Sequence, residues 1–331
     1  MIRWIRQYRA VARNACVVCL SDPVFLVLQL TMLTILAILT CLPTFNFGEE
    51  MRLIRDQSLA LLFIGGCIIG ATGIASVFVR DLKQGTVAVL MSRPVSSTSF
   101  IFGKWSGVAL AVAIYHVTMT VTILWMTAVV DSDVSSAHDL NYKPIVLLAT
   151  AIIVGMAAMA VKHYFMGGWY VWQATLAAGV CILIFFGVNN FIEVAHIQVI
   201  TYKMIDWPLW QGCLSLFFAE LIFCAILVVV AMRGSVIAVL ISGVVLFFGG
   251  LLSESLILMM GDSGLFVSLA RALLPNWQSF WLAEVLNGPI PKVAFGFLAS
   301  SFVHTLIYSA FCLTIATYIF NRQEFSSHDS F

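Results

Sequence analysis

The sequence predicts an all-α fold, a polytopic bundle of about eight transmembrane helices. The first observation is composition: 61% of the residues are hydrophobic and 10% are charged, whereas soluble domains carry about 25% charged residues. The second is the length of the apolar stretches, which suits membrane-crossing helices of about 20 residues. Only helices and closed barrels satisfy their backbone polar groups in lipid. Barrel strands are about 10 residues of alternating polarity, so helices fit and strands do not.

The eight predicted spans are separated by shorter polar segments. Each can cross a hydrocarbon core about 30 Å thick at about 1.5 Å per residue. They cover Val24–Leu42, Leu59–Val79, Trp105–Val130, Ile145–Val161, Val171–Val188, Cys213–Ala231, Val236–Met259 and Val293–Phe320. The fourth and fifth spans are the weakest, so a re-entrant helix pair is an alternative to two full crossings there.

The N-terminal segment 1–23 is basic and amphipathic. Four arginines recur at steps of three or four residues and share one helical face: Arg3, Arg6, Arg9 and Arg13. Such a pattern predicts a helix that lies in the membrane interface. The alternative is the basic end of a signal peptide, but no small-residue cleavage site follows the apolar run. Pro23 predicts a break before the first span.

The distribution of charge predicts the orientation of the chain. With the N-terminus in the cytoplasm, inside segments hold 11 of the 17 basic residues, in accord with the positive-inside rule. The 11 are Arg3, Arg6, Arg9, Arg13, Arg80, Lys83, Arg93, Lys104, Lys162, Arg233 and Arg322. We therefore expect both termini, and the short tail 326–331, on the cytoplasmic side of a plasma (inner) membrane. The net charge of +1 gives no indication of nucleic acid, and membrane lipid is the expected surrounding.

Ionisable groups inside the spans are candidate functional residues, because burying one in lipid costs about 3 kcal/mol at a helix centre. Glu220 lies well inside the sixth span and either lines a pathway or makes a structural hydrogen bond to another helix. Glu254 is expected at the outer interface, and His116 and His304 are expected to make packing contacts. Eight scattered cysteines include a Cys16-x-x-Cys19 pair, but no second pair or nearby histidine completes a metal site.

The loop between the second and third spans, residues 80–104, is the most informative segment. Charged residues flank a short apolar stretch, Val87–Met91, and Pro94 ends any helix there, because its predecessor avoids helical backbone angles. A helix of this kind would expose one apolar ridge, which could lie on lipid or dock into a groove of another protein.

Three motifs in this loop resemble those of the ABC-2-type permeases of ATP-binding cassette transporters. They are Asp81-x-x-x-Gly85-Thr86, Leu90-x-Ser92-Arg93-Pro94-Val95-Ser96 and Gly103-Lys104. Leu274-Pro275-Asn276 with Phe280, and Phe320-Asn321-Arg322-Gln323-Glu324-Phe325, are similar to two further motifs of that family. The family often has arginine where this chain has Ser97.

The resemblance implies a permease domain over residues 24–325, with an outer segment at 260–292. The family's six-span core would here carry an inserted helix pair at 145–188. Two permease subunits would form the pathway, as a homodimer or heterodimer, and a separate ATPase subunit would dock at the cytoplasmic face. The residues implied to contact that ATPase are Arg80, Asp81, Gly85, Thr86, Leu90, Arg93 and Pro94. The implied activity is movement of an unknown substrate, usually by export.

The chain is not expected to be an enzyme by itself. It contains no G-x-x-x-x-G-K-[ST] phosphate-binding loop, so ATP hydrolysis is expected in the partner, and we predict no cofactor of its own. An alternative function is ATPase-independent secondary transport or a channel, which would predict repeated halves with matched charges. A membrane assembly scaffold is a further alternative.

Overall fold

The computed structural model describes residues 2–41, 50–83, 96–133, 143–168, 170–196, 206–259, 275–288 and 293–322. Within these ranges every regular element is a helix, which confirms the predicted all-α class. Nine long helices are labelled in chain order. They are α1 (Ile2–Ser21), α2 (Pro23–Cys41), α3 (Glu50–Ile74), α4 (Ser97–Asp133), α5 (Lys143–Met166), α6 (Tyr170–His196), α7 (Trp207–Ala231), α8 (Val236–Met259) and α9 (Phe295–Asn321).

Helices α2 to α9 are each long and apolar enough to cross a membrane. The described residues therefore hold eight candidate spans, as many as predicted, and the chain is a multi-pass membrane protein. The weakest predicted spans correspond to α5 and α6, which are helices of 24 and 27 residues. Both are longer than the roughly 20 residues that a full crossing needs.

Three helices begin six or more residues earlier in the chain than hydropathy predicts, and one of them, α7, starts at Trp207 rather than Cys213. Helix α4 starts at Ser97 rather than Trp105, because the hydroxyl of Ser96 accepts a hydrogen bond from the backbone N–H of Ser99 at 3.2 Å and caps it. Helix α3 starts at Glu50 rather than Leu59. Hydropathy marks the apolar part of a helix, whereas the backbone hydrogen bonds continue through its charged ends.

The centre of the bundle consists of α3, α4 and α7. In their apolar spans 83%, 72% and 67% of the residues are buried, against 17% in α5. Helix α9 packs on α7, while α6 contacts α1, α2 and α4 and carries α5 on its far side. The predicted inserted pair thus lies at the edge of the bundle and contacts the rest mainly through α6.

Helix α1 packs along α4 through a small-residue contact. Gly107 of α4 lies directly against the backbone of Ala12 and Cys16, where a methyl group would collide with main-chain atoms. Cys16 is buried in this contact and Cys19 is buried against Gly73 of α3, whereas three arginines of α1 are exposed: Arg6, Arg9 and Arg13. The helix ends at Ser21, and the carboxylate of Asp22 accepts from the backbone N–H of Val24 at 3.1 Å.

Contacts between side chains show that the helix ends form two groups. Each group is named after one of its residues, as the Lys104 end and the Trp277 end. At the Lys104 end, Asp22 lies 4.0 Å from Arg80, and Asp81 contacts Lys104. At the Trp277 end, Arg55 forms an ion pair with Asp206 at 2.7 Å. Also at that end, the side chain of Asn287 donates to Asp56 at 2.8 Å. If each span crosses the membrane in the direction opposite to the span before it, the helix ends fall into these same two groups.

Candidate functional site

The Lys104 end holds a buried lysine that ties α4 to the end of α3. Only 5% of the Lys104 side chain is exposed. Its ammonium donates to the Asp81 carboxylate at 2.6 Å and to the backbone carbonyl of Val77 at 2.6 Å. It also lies 4.5 Å from the ring centre of Phe100 and 5.3 Å from that of Phe78. Asp81 therefore neutralises a buried cation.

The backbone next to this lysine departs from a regular α-helix. After Ile74 the chain forms a π-helical turn over Ala75–Val79 and then continues as α-helix over Arg80–Lys83. Such wide turns are rare and occur often at functional sites. The carbonyl of Val77 lies within this turn and accepts from Lys104, so the irregular backbone and the buried cation form one feature.

Of the seven residues that the sequence assigns to ATPase contact, Arg80 and Asp81 are described. The Arg80 side chain is 62% exposed and that of Asp81 is 33% exposed. Gly85, Thr86, Leu90, Arg93 and Pro94 lie outside the described residues, as does the predicted helix over 87–91. The structure thus brings Asp81 together with Lys104, while the guanidinium of Arg80 is exposed at the surface, 4.0 Å from the carboxylate of Asp22.

Glu220 lies at the centre of the bundle and is fully buried. Its Oε2 lies 2.9 Å from Nδ1 of His116 in α4, and Nε2 of that imidazole lies 2.9 Å from the carbonyl oxygen of Cys213. A carbonyl oxygen can only accept, so Nε2 carries a hydrogen and donates it. The other short contact then holds one further proton, shared between the carboxyl group and Nδ1.

Close helix packing places the carboxyl group of Glu220 in this position. A side chain on Gly66 of α3 would overlap it, so the absence of one makes the room. Gly70, one turn further on, lies in the same way against Cys224 of α7. These two glycines form the small-xxx-small pair that allows close approach of helices, and here the approach is within one chain.

The imidazole of His116 also borders a cavity of about 220 Å³ between α4 and α7. The other walls are mainly apolar and include Trp210, Leu214 and Phe217. The ring centres of Phe217 and His116 are 5.2 Å apart. The shared proton of the buried pair is therefore next to the imidazole that lines this cavity.

At the Trp277 end, the segment 275–288 inserts an aromatic side chain into the bundle. Tryptophan is common at membrane–water interfaces, but Trp277 is only 2% exposed, so its ring lies inside the bundle and not on its surface. Its indole N–H donates to the carbonyl oxygen of Phe247 at 3.1 Å, and its ring packs on Gly250. The tryptophans of α7, in contrast, lie at the surface of the bundle, since Trp207 is 58% exposed and Trp210 is 38% exposed.

The described residues include no group of three or more histidine, cysteine, aspartate or glutamate side chains that could hold a metal ion. Cys16 and Cys19 occupy adjoining turns of α1, and burial raises the pKa of Cys16 to about 11 and that of Cys19 to about 12. Thiols with such pKa values are poor nucleophiles at neutral pH.

The residue that sequence reasoning missed is His116 as the partner of Glu220. Counted in the predicted spans, Glu220 lies 11 residues before Ala231 and His116 lies 11 residues after Trp105. Both of these span ends belong to the Lys104 end. Glu220 and His116 are therefore expected at the same depth in the membrane, and this equal depth was the signal that could have predicted their contact.

Comparisons with protein-family models, with curated proteins and with solved structures found no match for this chain.

Proposed function

We propose that this chain is the membrane-spanning permease subunit of an ATP-binding cassette transporter, of the ABC-2 type. The observation that carries the proposal is the position of the 80–104 motifs. Their described members are Arg80 and Asp81, which follow the π-helical turn after α3, and Gly103 and Lys104 in α4; these residues lie at the end of the bundle that also holds Asp22, directly after α1. In the proposed assembly, this end faces the cytoplasm and docks on a separate ATPase subunit, and a second permease subunit completes the pathway.

The contacts of Lys104 support a coupling role for this end. An ATPase that pulls on the segment after Lys83 moves residues joined to Asp81, and Asp81 is hydrogen-bonded to Lys104 in α4. A displacement would therefore reach α3 and α4 together. Both helices belong to the buried centre of the bundle, so a small movement at one end would be passed along the pathway.

The first experiment is affinity purification of the tagged chain from its own cells in mild detergent. The proposal expects a soluble protein with a phosphate-binding loop to co-purify and to show ATPase activity. Repeated purifications without any such protein, although the chain itself is folded, would contradict the proposal.

A charge reversal at the docking surface gives a sharper test. We expect Arg80→Glu to weaken binding of the ATPase about tenfold, the equivalent of about 1.4 kcal/mol, because its exposed guanidinium is offered to the partner. Arg233→Glu is the matched control, since Arg233 is exposed in the turn between α7 and α8. Asp81→Lys is unsuitable, because it would leave the buried ammonium of Lys104 facing a second cation. Equal ATPase binding by both arginine variants would count against the docking surface.

The second candidate function is transport driven by an ion gradient without an ATPase. The buried Glu220–His116 pair favours it, because a shared proton beside a cavity is what a proton-coupled carrier needs. Liposomes that contain this chain alone distinguish the two proposals. Substrate uptake driven by a pH gradient, and lost in Glu220→Gln, would favour the carrier.

A further inference from the structure

A second and larger cavity lies at the Trp277 end. It has a volume of about 500 Å³ and is bounded by α7, α8, α9 and the segment 275–288. Its walls mix acidic, polar and aromatic side chains, among them Glu254, His304, Trp277, Phe280 and Tyr308. None of the residues that form the Lys104–Asp81 contact or the Glu220–His116 pair lines it, so it is a separate feature of the bundle.

Glu254 is the acidic group of this cavity. It lies five residues before the end of α8, about 8 Å from it along the helix axis. Its side chain is exposed, and within the described residues it belongs to none of the ion pairs. A carboxylate at the edge of the hydrocarbon is costly unless it is hydrated or neutralised, so the cavity favours a cationic occupant.

Aromatic rings line the same cavity as this carboxylate. The imidazole of His304 lies between two of them, with ring centres 6.4 Å from Phe280 and 5.9 Å from Tyr308. The faces of such rings attract organic cations, especially those with weakly hydrated ammonium groups. The same rings and Glu254 disfavour a phosphate or carboxylate, because no arginine or lysine lines the cavity among the described residues.

The cavity also has apolar walls at the surface of the bundle. Leu258 lines it and is 63% exposed, and Phe297 lines it from the first turn of α9. These two side chains offer an apolar surface beside the acidic group. A ligand that fits both parts needs a cationic head and an apolar chain.

We propose that this cavity binds an amphiphilic organic cation, with its ammonium head at Glu254 and its chain along Leu258 and Phe297. As a statement about transported cargo, the inference rests on the proposed function. As a statement about binding, it is tested on the purified chain without an ATPase. A failure here therefore leaves the ATPase partnership untouched, and a failure of co-purification leaves this site untouched.

The experiment is photo-crosslinking of the purified chain in maltoside detergent. The probe is an alkyltrimethylammonium with a benzophenone in its chain, and the matched probe is the uncharged alcohol of the same length. We expect the cationic probe to label peptides from residues 250–308, as mapped by mass spectrometry. The uncharged probe should label them far less.

Three glutamate variants test the carboxylate. Glu254→Gln should raise the half-saturating concentration of the cationic probe about tenfold, whereas Glu254→Asp should keep most of the affinity. Glu284→Gln is the matched control, because Glu284 is exposed at the same end of the bundle and does not line the cavity. Each variant is used only if it elutes as the wild type does on size-exclusion chromatography.

Equal labelling by the two probes, or identical affinity in wild type and Glu254→Gln, would overturn the proposal. A competition arm identifies the source of the cation. In nanodiscs, phosphatidylethanolamine should compete with the probe if the natural ligand is a lipid headgroup, compared with discs of phosphatidylglycerol alone. Competition by soluble alkyltrimethylammonium only would assign the site to a free amphiphile, and competition by neither would again overturn it.

Discussion

At the scale of single residues, Glu220 and His116 form the contact whose two members depend most on each other. Both side chains are buried, and they share one proton across 2.9 Å. The remaining carboxyl oxygen, Oε1, has no hydrogen-bond partner within the described residues. Removing either member leaves the other buried and without its main partner, and such losses cost about 3–5 kcal/mol.

The first prediction concerns this pair. We expect His116→Leu to lower thermal stability markedly, by about 3 kcal/mol, because it leaves Glu220 unsatisfied. The double variant His116→Leu/Glu220→Leu should regain most of that loss, since it removes both polar groups. Size-exclusion chromatography with fluorescence detection after heating measures the midpoint. His163→Leu is the control, because His163 is exposed; a double variant as unstable as the single one would contradict the expectation.

The second prediction concerns the thiols of α1, which lie outside the spans. Because burial raises the pKa of Cys16 to about 11, only about 0.1% of it is thiolate at pH 8, and the thiolate is the reactive form. Alkylation of Cys16 and Cys19 in folded protein should therefore be slow at pH 7.5 and accelerate as the pH rises towards 11. Peptide mass spectrometry measures each site. Fast reaction at pH 7.5, as in denatured protein, would contradict this.

The sequence reveals some of these residue-level features but not others. Glu220 stands out because a carboxyl group in an apolar run is rare. Its partner does not, because His116 is 104 positions away and a distance of that kind depends on how helices pack. Trp277 is a similar case: an indole suits the interface in general, but here the bare backbone of Gly250 makes room for its ring inside the bundle.

At the scale of elements, hydropathy predicts the spans well because few backbone conformations are stable in lipid. Every backbone group must be bonded within its own helix, so a long apolar run specifies a helix almost regardless of packing. This constraint does not apply to the charged ends of α3 and α4, which can be helical or not. Their capping residues, such as Ser96, decide where the helix begins.

The third prediction concerns the docking of α1 on α4. Gly107 lies against the main chain of α1, and a main chain cannot move aside as a flexible side chain can. Gly107→Ala should therefore loosen α1 and speed tryptic cleavage after Arg9 and Arg13. Gly187→Ala is the matched control, because no atom lies within 4 Å of a methyl group there. Equal cleavage rates in the two variants would show that α1 is not held by this contact.

At the scale of the whole molecule, the proposed transporter has three functional regions along the bundle. The Lys104 end would receive movement from an ATPase, the Glu220–His116 pair joins the central helices, and the cavity beside Glu254 would hold an amphiphile. The two ends are distinguished in the structure by their contacts. The proposal adds that the Lys104 end faces the cytoplasm, where ATP is available.

That orientation is the claim on which the transporter proposal depends most, and cysteine labelling tests it directly. A variant without its eight native cysteines receives one new cysteine, Arg80→Cys at the Lys104 end or Glu284→Cys at the Trp277 end, and reacts with a membrane-impermeant maleimide. We predict that Arg80→Cys is labelled in inside-out vesicles and protected in intact cells, with Glu284→Cys behaving oppositely. Labelling of Arg80→Cys in intact cells would place the proposed docking surface outside the cell and contradict the account.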